Sequence, residues 1–128
     1  MPLIQISLIE GKSSEYIQAV ADGVHHALQT AWAIPENERF QTIFEHKKSH
    51  FIINKTVFDG NRSEDVIVIY ITAVMRTADL KTKLYQELVK VLAISPGVRK
   101  EDVFVSIVDN APENWSFGKG IAQLLGNR

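Results

Sequence analysis

Along residues 2–9 the apolar side chains Leu3, Ile4, Ile6, Leu8 and Ile9 form a short segment closed by Glu10-Gly11. That pattern predicts a buried strand starting at the terminus itself, so position 2 is held rather than frayed. Next, Ile17, Val20, Val24, Leu28 and Ala31 recur at three- and four-residue steps behind the potential caps Ser13 and Ser14. This spacing predicts a helix over roughly 14–33, and Pro35 forbids its continuation. A strand is predicted from Phe40 to His46, then a turn at Lys47-Lys48-Ser49-His50, a short extended piece at Phe51–Asn54 and a turn at Asp59-Gly60-Asn61. The run Val66–Val74 is the most β-prone in the chain and is apolar on both alternating sets, as in a central strand covered on both sides. A second helix at about 78–93 carries Leu80, Leu84, Leu88 and Val91 on one stripe and ends at Ser95-Pro96-Gly97. A strand at Val103–Val108, a break at Asp109-Asn110-Ala111-Pro112 and a tight hairpin or loop at Asn114–Gly120 complete the pattern.

Set side by side, residues 2–46 and 67–109 share one order: apolar strand, long amphipathic helix, a proline stop, a charged bend and a strand. The chain therefore reads as an internal β-α-β repeat of α/β (α+β) class, forming a four-stranded sheet with both helices on one face. The other face of such a sheet stays open in a single chain, which predicts packing against further subunits.

Composition narrows the function classes. With 128 residues and 45% hydrophobic side chains, one domain over 1–128 is expected. The 14 basic and 15 acidic residues are spread without long blocks, which argues against a nucleic-acid partner or a polybasic membrane surface. Absent cysteine removes disulfides, thiolate metal sites and thiol nucleophiles together, and fits a reducing cytoplasm. No leader pattern and no bilayer-length apolar window occur, so a soluble, unexported protein is expected.

Proline at position 2 permits excision of Met1 and exposes a secondary amine, a competent base. A free α-amine titrates near about 8; apolar burial or a nearby cation lowers that, whereas a carboxylate raises it. The alternative is that Pro2 only starts a strand, where its missing N–H costs nothing. His25, His26, His46 and His50 lack metal-ligand spacing and acidic partners, so no metal is expected and structural or exposed roles are assigned to them. Gly118-Lys119-Gly120 is too short and too late to cradle a phosphate and reads as a turn.

Pro2-Leu3-Ile4, the stretch Ile34-Pro35-Glu36-Asn37-Glu38-Arg39-Phe40-Gln41-Thr42, Asn61-Arg62-Ser63 and Asn110–Gly118 together resemble the malonate semialdehyde decarboxylase branch of the tautomerase superfamily, over nearly the whole chain. The resemblance implies a β-α-β-β-α-β subunit of tautomerase fold assembled as a trimer, no cofactor, and a site near the amino-terminal proline and the subunit boundary. By position, Pro2 matches the catalytic proline and Arg76 an arginine that binds substrate carboxylate. Glu38 falls where the decarboxylases carry aspartate, and Trp115 and Phe117 match positions that wall the site. An arginine suits its role because the guanidinium stays charged and offers paired donors. Glu38 suits a general acid or base that holds a substrate hydroxyl or polarises water, and bulky aromatics exclude water. Each also has a plain reading: Arg76 as a solvated strand cap, Glu38 as part of a polar turn, and Trp115 and Phe117 as core packing.

Two departures stand out. Some decarboxylases of this branch carry a second arginine two residues before Arg76, where this chain has Val74. Glu38 in place of aspartate also moves the carboxylate by about 1.5 Å, one carbon–carbon bond. The first expectation is thus a cofactor-independent tautomerase of small 2-oxo or enol carboxylates, with decarboxylation of 3-oxo acids as the alternative. An interaction protein on the same scaffold is more distant. A ferredoxin-like RNA-binding module shares the element order, but the central strand offers only Tyr70 as an aromatic and no basic neighbours.

Overall fold

The computed structural model describes residues 1–126. Strand β1 spans Pro2–Ile9, helix α1 Ser14–Trp32 and strand β2 Gln41–His46; strand β3 spans Ile67–Val74, helix α2 Ala78–Ile94 and strand β4 Val103–Asn110. Both helices start where a hydroxyl can satisfy an otherwise orphaned backbone donor. The Ser13 hydroxyl accepts from the Tyr16 N–H at 3.1 Å, and the Thr77 hydroxyl accepts from the Leu80 N–H at 3.2 Å. Helix α1 ends on Ala33 in the left-handed region, φ 54° and ψ 35°, two residues before the proline that the sequence marks as its limit.

The four strands form one mixed sheet in the order β2-β1-β3-β4. Each repeat contributes a parallel pair: Ile4 stands opposite Gln41 in the first, Ile67 opposite Val103 in the second. The two repeats join through β1 and β3, which run antiparallel with Pro2 opposite Ala73 and Ser7 opposite Val68. One alternate set of each central strand is buried under the helices: Ile4, Ile6 and Leu8 from β1, and Ile67, Ile69, Ile71 and Ala73 from β3. Val20, Val24 and Leu28 of α1 and Leu84, Leu88 and Leu92 of α2 close over them. Full burial of one such leucine or isoleucine stabilises the fold by about 1.5–3 kcal/mol, so this layer supplies the main driving force. Gly23 sits where the two helices touch. A Cβ there would stand 3.0 Å from Leu92 Cδ2, so the missing side chain permits the close approach.

One boundary moves in the structure, and two segments take a definite form. Strand β4 runs two residues beyond Val108, because β3 extends far enough to pair Ala73 with Asp109 and Val74 with Asn110. Residues 51–54 form no strand; a short helical turn at Lys48–His50 ends β2, and the Asn54 side chain accepts from the N–H groups of Thr56 and Val57 at 2.9 Å each. Such local side-chain bonds offer the backbone an alternative to a ladder. Of the two forms open for Asn114–Gly120, hairpin or loop, the structure shows the loop, preceded by a helical turn at Pro112–Asn114.

On the helix-free face of the sheet, Leu3, Phe44, Tyr70, Phe104 and Val108 share one side and are all substantially exposed, Val108 at 60%. The central strand is therefore covered fully on one side only. Among the described residues, no helix is long and apolar enough to cross a membrane.

Candidate active site

Because β1 and β3 are antiparallel, the start of β1 lies beside the end of β3, and the parallel pairs bring the start of β2 and the end of β4 to the same edge. Residues far apart in sequence thus meet there. Pro2 is buried and begins the sheet, and Ile4 donates its N–H to the Phe40 carbonyl at 3.0 Å, which ties the approach to β2 against β1. Arg76 follows β3 directly, and Glu38 sits three residues before β2 in a turn that its own N–H closes onto the Pro35 carbonyl at 3.1 Å.

That turn is pinned from beneath. His25 is buried at 5% exposure, and its Nε2 donates to the Glu36 carbonyl at 2.9 Å, which requires the proton on Nε2. Arg39 is drawn away to Asp22 at 2.7 Å and to the Gln41 side chain at 3.0 Å. Glu38 is left half-buried and without a salt bridge among the described residues.

The electrostatics tie the terminal amine to Glu38 and Arg76. Burial holds the chain-terminal amine, carried here by Met1, below its ordinary value; the Arg76 charge lowers it further and the Glu38 charge opposes both. Excision of Met1 transfers the amine to Pro2, one residue deeper into the sheet. Arg76 makes no ion pair with any described carboxylate. One terminal nitrogen donates to the Val74 carbonyl at 2.5 Å, and the guanidinium carbon stands 4.9 Å from the ring centre of Trp32. A charged, half-buried guanidinium without a carboxylate partner is suited to receive one from a ligand.

Trp115 and Phe117 stand in one aromatic stack at this end of the sheet. Their ring centres are 5.4 Å apart, and Phe40 extends the stack with its ring 5.9 Å from Phe117. Trp115 is oriented by its indole N–H, which donates to Asn110 Oδ1 at 2.6 Å at the last position of β4. Asp109, in the same sheet row as Pro2 and Ala73, is paired with Lys81 at 2.6 Å.

Pro2, Glu38 and Arg76 thus come together, with Trp115 and Phe117 at the same sheet end. The sequence reading did not single out Phe40, Asn110 or Trp32. Phe40 lay inside a quoted stretch, but only its stacking gives it a role. Asn110 read as part of a break because nothing local shows that β3 is long enough to keep it paired. Trp32 lies outside the helix stripe named above. Of the histidines, His46 stacks on Phe51 at 5.4 Å, and no cluster of three potential metal ligands occurs among the described residues.

Two cavities formed by the described residues lie elsewhere. The larger, about 800 Å³, is an open groove between α1 and α2 lined by Gln18, Asp22, His26, Val91 and Ile94, and the smaller lies under Phe58 and Phe104. Neither contains a residue of the amine–Arg76–Glu38 cluster, so the chemistry of the cluster identifies the candidate site.

Known proteins resemble this chain over nearly its whole length. A family described as tautomerase enzyme matches residues 38–118, and a second family of the same description matches residues 2–60. A probable tautomerase of Bacillus subtilis, YrdN, is 35% identical over 125 residues, covering 98% of this chain and 97% of the relative. The FG41 malonate semialdehyde decarboxylase, solved with 3-bromopropiolate as inhibitor, is 38% identical with a TM-score of 0.90, covering 96% of this chain and 94% of that one. Another malonate semialdehyde decarboxylase has a TM-score of 0.91 at 29% identity, covering 96% and 95%; it was solved as wild type, inactivated, and with its first-residue proline replaced by alanine.

Proposed function

The chain belongs to the tautomerase family, and from that premise we propose that it is a cofactor-independent keto–enol tautomerase of small 2-oxo or enol carboxylates, acting through the amine of Pro2 once Met1 is removed. The observation that carries this reading is the convergence of the chain-terminal amine, Arg76 and Glu38 at one edge of the sheet, with burial and Arg76 both favouring the neutral, basic form of the amine.

In ketonisation, the neutral Pro2 nitrogen takes the proton from the enol oxygen, and the resulting ammonium delivers a proton to the adjacent carbon. The enol becomes a ketone and the amine returns to its starting state. Arg76 holds the carboxylate and lowers the energy of the enolate that develops between the two transfers, an interaction stronger in the transition state than in the substrate. Glu38 holds a hydroxyl of the substrate. Phe40, Phe117 and Trp115 keep water from the reacting end, which strengthens the Arg76 charge. The open, apolar sheet face supports assembly of the subunit as a trimer.

A second reading has its own support, the 38% identity to a malonate semialdehyde decarboxylase. There a protonated Pro2 polarises the carbonyl of a 3-oxo acid, which accepts the electron pair as the bond to carbon dioxide breaks, and water held by Glu38 supplies the proton to the carbon of the enol left behind. Val74 in place of a second arginine and the longer Glu38 side chain favour the tautomerase.

The deciding experiment compares ketonisation of an aryl enolpyruvate by protein whose intact mass confirms loss of Met1 with that by Pro2→Ala processed identically. Rapid turnover that collapses in the variant is the expected outcome. Absence of turnover in both, together with carbon dioxide release from malonate semialdehyde, would replace this reading with the second.

A further inference from the structure

Trp32, the last residue of α1, is only 8% exposed and counts among the core side chains, yet its ring has two polar neighbours that a core role does not require. Its indole N–H donates to the Leu80 carbonyl in the first turn of α2 at 2.9 Å. Its ring carries the Arg76 guanidinium, with Cζ 4.9 Å from the ring centre. The donor bond fixes the plane of the indole, and the plane fixes where a cation can rest. An arginine otherwise loses several rotatable bonds when it is held in one place, so a preformed seat reduces what ligand binding must still order.

We propose that Trp32 is a positioning residue for Arg76: its hydrogen-bonded indole seats the guanidinium at the sheet edge where a substrate carboxylate meets it. This rests on the reading of Arg76 as the carboxylate anchor. The seat also answers a conflict built into the site. Glu38 and Arg76 both act on the same chain-terminal amine, so each lies within electrostatic reach of it, and a guanidinium free to swing has a carboxylate nearby with which to pair. Such a pair would remove the charge from the substrate. Cation–π contact with Trp32 and the bond to the Val74 carbonyl keep Arg76 occupied without neutralising it. Tryptophan suits this better than phenylalanine, having the stronger ring face and the N–H that anchors it to α2.

The test uses Met1-processed protein in four forms: native, Trp32→Phe, Trp32→Leu and Arg76→Ala. Two quantities are read: kcat and KM on an aryl enolpyruvate, and the Kd of benzoylformate by calorimetry, a 2-oxo carboxylate that cannot enolise. Trp32→Leu is expected to raise both KM and the benzoylformate Kd about tenfold, the order a desolvated cation–π contact supports, while kcat changes less. Trp32→Phe, which keeps a ring but loses the anchor, is expected to fall between Trp32→Leu and the native protein, and it carries the test if the leucine variant does not fold. Loss of Arg76 should abolish benzoylformate binding. A Trp32 variant that binds benzoylformate as the native protein does, while Arg76→Ala does not bind it, overturns the positioning role and leaves Arg76 as anchor. Unchanged binding in Arg76→Ala overturns the anchor reading itself, and the seat with it.

Discussion

At the scale of single residues, the site depends on how three influences act on one amine. On the terminal amine of Met1, burial is the largest and lowers the proton affinity, Arg76 lowers it further and Glu38 raises it; in the proposed processed protein the Pro2 amine comes under the same three influences. A base must be neutral to work, so kcat/KM should rise with pH through the amine's pKa and level off above it, with that limb lying below the ordinary value of about 8 for a chain terminus. The signs of the variants follow. Glu38→Gln removes a charge that favours the ammonium, so its acid limb should move to lower pH; Arg76→Ala removes one that opposes it, so its limb should move to higher pH. A kcat/KM profile for the three proteins checks both directions, and a shift of both variants in the same direction would contradict the arrangement. None of this was available from position 2 alone, because a proline that merely opens a strand has the same sequence signature.

At the scale of elements, the helices were legible because their signals are local. Periodicity of three and four, the serines at the start of α1 and a proline just past each helix placed α1 and α2 to within about two residues, the usual blur of helix ends. The two ends of α1 differ in quality. Ser13 satisfies a first-turn donor, whereas Ala33 holds a left-handed conformation that glycine adopts without strain. Ser13→Ala should cost about 1 kcal/mol, and Ala33→Gly should gain about 1 kcal/mol, in chemical denaturation of the intact protein. Segment 51–54 pairs with no strand, for the opposite reason. Its apolar residues suit a strand, but Asn54 bonds the backbone just beyond it, and Ile52 is left 88% exposed.

At the scale of the whole molecule, the sheet has one covered face and one open face, and Leu3, Phe44, Tyr70, Phe104 and Val108 on the open face form an apolar surface of the kind that marks an association site. The proposed trimer gives that surface its cover. Sedimentation should find three subunits for the native protein, and Phe104→Asp, which puts a charge into the patch on edge strand β4, should shift the population to monomer and reduce activity. A native protein that sediments as a monomer at micromolar concentration would remove the trimer from the proposal. The loop that leads into β3 stays in place by different means: Asp102, 1% exposed, accepts from the Ser63 N–H at 2.7 Å and the Ser63 hydroxyl at 2.6 Å.

By itself the sequence determined where the main strands and helices lie, that they repeat as two β-α-β units, and which side chains are candidates for the proposed proton transfer and carboxylate binding. Each of these follows from side-chain spacing, from turn chemistry within a few residues, or from motifs that resemble a known family. The tertiary structure alone decided that the units join through antiparallel β1 and β3, and this one pairing sets Pro2 opposite Ala73 and so beside the strand end from which Arg76 departs. It alone decided that Asn110 remains in the sheet to hold Trp115, that Phe40 stacks on Phe117, and that Trp32 lies beneath Arg76. Apart from the five-residue step from Asn110 to Trp115, those contacts link residues separated by tens of positions, and nothing in the local pattern of either partner records the other. They exist only once the packing of helices on the sheet has fixed which ends lie together.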